Sequence, residues 1–292
     1  MVRHFSLLAA GYKAACAIAV LIERGMLPSR VCTYRVNGES TESDAMLREV
    51  CYSAGIKVVE KDDAHDVITN DPLVFAIGWQ YLVRGNPANL VVLHDSLLPK
   101  YRGFSPSVTA LINGEVTHGV TAVLAAAEVD SGPVIAQEKV TLRYPMTIRQ
   151  LFEALGPLYA ECIVRSVDCA QDGFTQLAKQ NEGEATYSIW RDEADFRINW
   201  QDDAMKIARV VDALGFPYGG AVAMNDRQLI RVWRAIPVTD VAFEDRHPGK
   251  LWKLQPDGSV DVVCGTGMLR LLECRDEHGA AIRFDKLRTR LS

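Results

Sequence analysis

His94 is the residue in this chain best placed to do chemistry. It ends the apolar run Leu90-Val91-Val92-Leu93 and is followed at once by Asp95, Ser96, a Leu97-Leu98-Pro99 turn and a Tyr101-Arg102-Gly103 exit. In an open parallel sheet, side chains leave the packed interior at the carboxyl ends of strands and meet a crevice there. An imidazole at such a point exchanges a proton near neutral pH, and a nearby carboxylate orients the ring and stabilises its charged form. Asp95 is one candidate carboxylate, and charge attraction from it would favour the protonated ring. Asp130, in Glu128-Val129-Asp130-Ser131-Gly132, lies between two strand-like runs; taken alone it reads as a turn aspartate bonding local N–H groups. Ser96 is a poor nucleophile candidate, because it stands two residues from His94 around a turn with no nucleophile elbow.

The elements that must position these residues follow from periodicity. Residues 5–10 read as a strand, 13–24 as a helix stopped by Gly25, 31–36 as a strand, 43–54 as a helix stopped by Gly55, and 56–59 as a strand. A strand over 73–77 leaves through Gly78-Trp79-Gln80-Tyr81, and 90–94 is the central strand. A short helix over 108–112 and strands over 120–126 and 134–142 follow. The long helical pattern over 147–171 contains Gly156-Pro157, which should kink it or break it in two. This alternation predicts an α/β fold, a doubly wound and mostly parallel sheet, over residues 1–178. One glycine, Gly11, follows the first strand where a dinucleotide fold would carry Gly-x-Gly-x-x-Gly, which argues against a dinucleotide cofactor.

Residues 179–200 open polar and acidic and read as a linker. In residues 201–292 a helix with Asp202 as N-cap runs to Leu214. Short strands follow over 221–224, 229–235, 250–254, 260–264 and 268–273, with turns at Asn225-Asp226 and Asp257-Gly258. That pattern predicts a smaller β-rich, OB-like domain.

Composition narrows the class. The 292 residues are 48% hydrophobic and 24% charged, the balance of an ordinary globular protein, and the net charge of -5 gives no general attraction to nucleic acid or anionic membrane. No apolar run approaches the roughly 20 residues needed to span a bilayer, and Met1-Val2-Arg3-His4 does not open a signal peptide. The seven cysteines are scattered, with no Cys-x-x-Cys pair and no histidine at zinc-ligand spacing. A reduced, cytoplasmic protein without metal is the expectation.

The run Ser96-Leu97-Leu98-Pro99-x-Tyr101-Arg102-Gly103, then Gly119-Val120-Thr121, then Val129-Asp130-Ser131-Gly132, resembles the 10-formyltetrahydrofolate-dependent formyltransferases, which include methionyl-tRNA and sugar N-formyltransferases. Their reaction passes through a tetrahedral intermediate bearing an oxyanion, so protons must move and the oxygen must be stabilised. The resemblance implies that His94 and Asp130 are catalytic. It implies that Trp79, Gln80, Leu97, Leu98, Pro99, Gly103, Glu128 and Val129 border the folate cosubstrate, and that Ser96, Tyr101, Arg102 and His118 meet the acceptor. The family's third catalytic member, an Asn two residues before the histidine, is Val92 here. Alternation puts Val92 and His94 on one face, whereas Asn89 falls on the other.

The expected acceptor is a nucleotide-linked amino sugar, for two reasons. The Gly78-Trp79 stretch is similar to the sugar-modifying branch, and from residue 200 onward 14 Lys plus Arg stand against 13 Asp plus Glu, a weak charge for a tRNA partner. The alternatives are methionyl-tRNA, an amino acid or a hydroxylamine as acceptor, hydrolysis of the formyl folate, or a non-catalytic folate- or nucleotide-binding homologue, for which Val92 is the argument. Homodimers are common in the family.

Overall fold

The computed structural model describes residues 4–35, 41–83, 87–175, 177–226 and 228–292; Met1 to Arg3, and Val36 at the end of an expected strand, lie outside them. In chain order the elements are β1 (Ser6–Ala9), α1 (Gly11–Glu23), β2 (Arg30–Thr33), α2 (Glu42–Ser53), β3 (Lys57–Glu60), α3 (Ala64–Asn70), β4 (Val74–Ile77), β5 (Leu90–His94), β6 (Arg102–Gly103), α4 (Pro106–Asn113), β7 (Thr117–Leu124), β8 (Val134–Thr141), α5 (Ile148–Gln171), β9 (Tyr187–Ser188), α6 (Ala204–Ala213), β10 (Ala221–Asn225), β11 (Gln228–Val238), β12 (Leu251–Leu254), β13 (Val260–Val263) and β14 (Met268–Arg275). They divide into two compact units. The first holds residues 1–106, 117–142 and 150–189, and the second holds 107–116, 143–149 and 190–292.

The first unit is built on a seven-stranded sheet of order β3-β2-β1-β4-β5-β7-β8. The first five strands run parallel, and β7 and β8 close the edge antiparallel. Strands β1 and β4 are buried throughout, which is why they read as unbroken apolar runs instead of alternating ones. Helix α1 buries Ala14, Ala17, Ile18 and Leu21, the spacing of one helical face. Thr41 caps α2 by accepting from the Asp44 N–H, and Glu42 and Asp44 sit in its first turn, where negative charge suits the helix dipole.

Order along the sheet reverses between β1 and β4, so their carboxyl ends form the switch point. Gly78 follows β4 there with φ +64, and a Cβ on it would lie 2.6 Å from the Ala10 carbonyl oxygen. Only glycine lets the two strand exits approach so closely.

Two expectations for this unit are corrected. Of the kink or break expected at Gly156-Pro157, the break does not occur: helix α5 continues through both residues over its 24 residues. Gly156 turns its bare face to α1, where a Cβ would sit 3.1 Å from the Cys16 carbonyl oxygen, so the glycine serves close packing and not a break. Residues 180–188 of the expected linker belong to the first unit: β9 pairs in parallel with β6, matching Arg102 to Tyr187 and Gly103 to Ser188.

The second unit carries a five-stranded sheet of order β10-β11-β14-β13-β12, antiparallel throughout, with α6 packed on β11 and β14. The α6 N-cap is Asp203, whose side chain accepts from the Met205 N–H; Asp202, expected in that role, pairs instead with Lys206 at 3.0 Å. Residues 107–116 and 143–149 join this unit through side chains that reach backbone. Arg209 Nε donates to the Ile112 carbonyl at 3.0 Å, and the Tyr144 hydroxyl donates to that of Glu115 at 2.9 Å. No helix among the described residues is long and apolar enough to cross a membrane.

Candidate active site

Strand β5 delivers His94 to the carboxyl edge of the first unit's sheet, paired across from Thr121 of β7. The ring is 6% exposed and both its nitrogens face oxygens. Nε2 lies 2.7 Å from the Tyr101 carbonyl oxygen, and Nδ1 lies 3.4 Å from Asp130 Oδ2. A carbonyl only accepts, so Nε2 carries the hydrogen. The nitrogen left to take up or release a proton is therefore Nδ1, the one that faces the carboxylate.

Asp130 reaches that position by an unusual backbone. Its φ of +54 is left-handed, a conformation that aspartate tolerates better than most residues. Ser131 closes the expected turn with its N–H and hydroxyl on the Glu128 carbonyl, but the Asp130 carboxylate does not bond to this turn. It points across to β6, where Oδ2 accepts from the Gly103 N–H at 2.8 Å. One carboxylate oxygen thus joins the imidazole to a backbone donor 27 residues away in sequence. Gly103 permits this through φ +98 and a close approach to β9, since a Cβ there would lie 2.5 Å from the Ser188 carbonyl oxygen.

The turn between His94 and Gly103 is held from below by β7 and β8. Thr121 Oγ1 donates to the Ser96 carbonyl at 2.7 Å and accepts from the Leu98 N–H at 3.1 Å. Gln137 Nε2 donates to the Leu98 carbonyl and to Thr121 Oγ1. Tyr101 has φ +60, and its N–H is received by Thr186 Oγ1 at 2.9 Å.

Asp95, the other candidate carboxylate, is tied to helix α1. Its carboxylate accepts from Lys13 Nζ at 2.5 Å, so its charge is balanced by helix α1. Three residues expected to meet an acceptor are buried within the fold. Ser96 is fully buried and its hydroxyl donates to the Lys100 carbonyl at 2.6 Å. Arg102 is 1% exposed and its guanidinium is spent on Glu182, by two bonds of 2.7 and 2.8 Å, and on Gln180 Oε1. These bonds raise the Arg102 pKa and hold the Glu182 carboxyl below its ordinary value. His118 stands three residues from Thr121 on β7, so it faces the opposite side of the sheet from His94, where it is buried. Tyr101, the fourth, is half-buried and meets His94 through its backbone.

Of the residues expected to border folate, Leu97 and Pro99 are half-buried and Leu98 is buried. Glu128 and Gln80 are exposed, and Val129 beside Asp130 is 56% exposed. Trp79 is half-buried on the sheet's core edge, with Tyr34 and Tyr81 edge-on at 5.4 and 5.6 Å between ring centres. Sequence reasoning missed Gln180, Glu182, Gln137 and Lys13. Only Lys13 carried a signal, as a lone cation at the start of a helix that opens on the sheet's carboxyl edge.

Chemically, a buried imidazole with one nitrogen anchored and the other against a carboxylate is a single-proton relay. The formyl transferase profile matches residues 79–167, which include both His94 and Asp130, and the formyl transferase C-terminal domain matches residues 191–290. A methionyl-tRNA formyltransferase of Nitrosospira multiformis is 32% identical over 193 residues, 66% of this chain and 61% of that protein. Among solved structures, an N-formyltransferase from Helicobacter canadensis in complex with folinic acid and dTDP-3-aminofucose aligns with a TM-score of 0.66 at 17% identity, over 93% of this chain and 99% of that one. HypX from Aquifex aeolicus in complex with tetrahydrofolic acid aligns with a TM-score of 0.61 at 17% identity, over 97% of this chain and 45% of that one. The chain thus spans about three-fifths of the curated relative and under half of HypX. At these identities the structural likenesses are likenesses of fold.

Proposed function

We propose, from the premise that the chain belongs to the formyl transferase family, that it transfers a formyl group from 10-formyltetrahydrofolate to an amine borne by a nucleotide-linked sugar. The observation that carries the transfer is the approach of His94 Nδ1 to Asp130 Oδ2 at 3.4 Å, with Nε2 anchored on the Tyr101 carbonyl. The folate supplies the formyl carbon and a nitrogen leaving group. His94 takes the proton of the attacking amine at Nδ1 and returns it to the departing nitrogen. Asp130 steadies the charged ring between these events and is itself held by the Gly103 N–H. Half-buried Leu97 and Pro99 and exposed Val129 offer apolar surface that suits a pterin ring.

Two observations support a sugar amine as the acceptor. The Helicobacter canadensis enzyme, matched almost end to end, is in complex with dTDP-3-aminofucose. The chain from residue 200 onward balances 14 cationic against 13 anionic side chains, little for a partner bound through phosphates. The 32% identity to a methionyl-tRNA formyltransferase favours the rival acceptor. Incubation with 10-formyltetrahydrofolate and a panel of nucleotide amino sugars, beside methionyl-tRNA, separates them. Tetrahydrofolate released only with an amino sugar is the expected result. Formylation of methionyl-tRNA alone overturns the acceptor, release without any acceptor indicates hydrolysis, and no release overturns the transfer.

A further inference from the structure

We infer that Gln180 is a positioning residue for Asp130, clamping the 130–132 loop to the buried Arg102. The kinetic consequences rest on the formyl-transfer reading, whereas the structural consequence does not.

The clamp uses every hydrogen-bonding atom of one amide. Gln180 Nε2 donates to the Asp130 carbonyl at 2.7 Å and to the Gly132 carbonyl at 2.8 Å. Its Oε1 accepts from Arg102 Nη2 at 2.9 Å and Nε at 3.2 Å. Arg102 is in turn fixed by the paired bonds to Glu182, two residues beyond Gln180. The route therefore closes on itself. Arg102 immediately precedes Gly103, whose N–H holds Asp130 Oδ2, so the backbone and the side chain of Asp130 are both referred to the same two residues of β6. Asp130 has a left-handed φ that a free loop would relax, and two carbonyls drawn onto one amide oppose that relaxation. The fork geometry of arginine suits the planar amide oxygen, and lysine could not reproduce it.

Catalysis responds steeply to such placement, because a displacement of about 1 Å at a relay group can cost about a hundredfold in rate. Gln180→Glu keeps an acceptor for Arg102 and removes both donors to the loop. It should lower kcat about 10- to 100-fold, with KM for folate and acceptor changed by less than about threefold. In an Asp130→Asn background the same change should add less than about twofold, because the clamp acts through that carboxylate. Equal losses in both backgrounds would overturn the inference.

Amide hydrogen exchange gives a reading free of turnover. The Gly103 N–H, bonded to Asp130 Oδ2, should exchange at least about tenfold faster in Gln180→Glu, while the amides of β5 keep their protection. Arg102→Lys should produce the same local signature in a protein that retains the charge opposite Glu182. If the parent protein transfers no formyl group, the functional proposal fails and the exchange result alone decides this one. Unchanged Gly103 protection in both variants, or protection lost uniformly across the first unit, would sink it.

Discussion

Gly103→Ala tests the geometry at the point where three features meet: the β6–β9 pairing, the Asp130 carboxylate and the turn that follows His94. Two separate costs are expected. A left-handed φ of +98 penalises an L-residue by about 1–2 kcal/mol. The second cost is contact: the new Cβ would sit 2.5 Å from the Ser188 carbonyl oxygen, and backbone on both sides must move. The bonds at risk are Arg102 N–H to Thr186 O at 2.8 Å and Phe104 N–H to Ser188 O at 3.0 Å, each worth about 1 kcal/mol. The sum is about 3 kcal/mol, and the Gly103 donor moves away from Asp130 as it is incurred.

Gly25→Ala is the matched control. Gly25 also lies in the first unit, has φ +69, and a Cβ there meets nothing within 4 Å. It should show the conformational cost alone, about 1 kcal/mol. Urea unfolding followed by a first-unit probe should then separate the two variants by about 2 kcal/mol, and Gly103→Ala should lose formyl transfer while Gly25→Ala keeps it. Equal destabilisation of the two, or full activity in Gly103→Ala, would refute the claim that β6 must press against β9 to hold Asp130.

Two further outcomes are expected. Burial pushes the Asp212 carboxyl from 3.8 up to about 6, so the folded state holds that proton more tightly than the unfolded one and stability falls as pH rises through that window. Asp212→Asn should therefore stabilise the protein at pH 8 by about 2 kcal/mol after allowance for partial exposure, with the gain shrinking as pH falls towards 4; a gain independent of pH would exclude the carboxyl as its source. Val92, half-buried between Ala76 and Val123 on the neighbouring strands, stands on the strand face of His94 where the family carries Asn, and one oxyanion donor is worth about 10²–10³ in rate in comparable sites. Val92→Asn should raise the single-turnover transfer rate about tenfold even if imperfectly aligned, whereas an unchanged or lower rate would mean that another group already serves the oxyanion.

What could be read from sequence divides along a physical line. The strand ending at His94 was readable because a both-faces-buried parallel strand must be apolar to its end, so a polar residue there marks the exit. The C-terminal strands were readable from their turns. The pair β6 and β9 could not be read, since two residues have no periodicity, and α3 buries only Val67 and Ile68, too few to show a helical stripe. Asp130 could be placed only by resemblance, because its local sequence describes a turn that does exist and says nothing about where the carboxylate points. The residues around 180 misled most. A polar stretch looks the same whether its side chains face water or a buried guanidinium, so composition assigned a linker to the segment that supplies Gln180 and Glu182. Arg102 is the complementary case, since a conspicuous cation beside the histidine suggests a ligand, whereas its protein partners lie 78 and 80 residues away. Residues that bind or react announce themselves by type, whereas residues that hold them in place are defined by long-range pairing, and that pairing is what the fold adds.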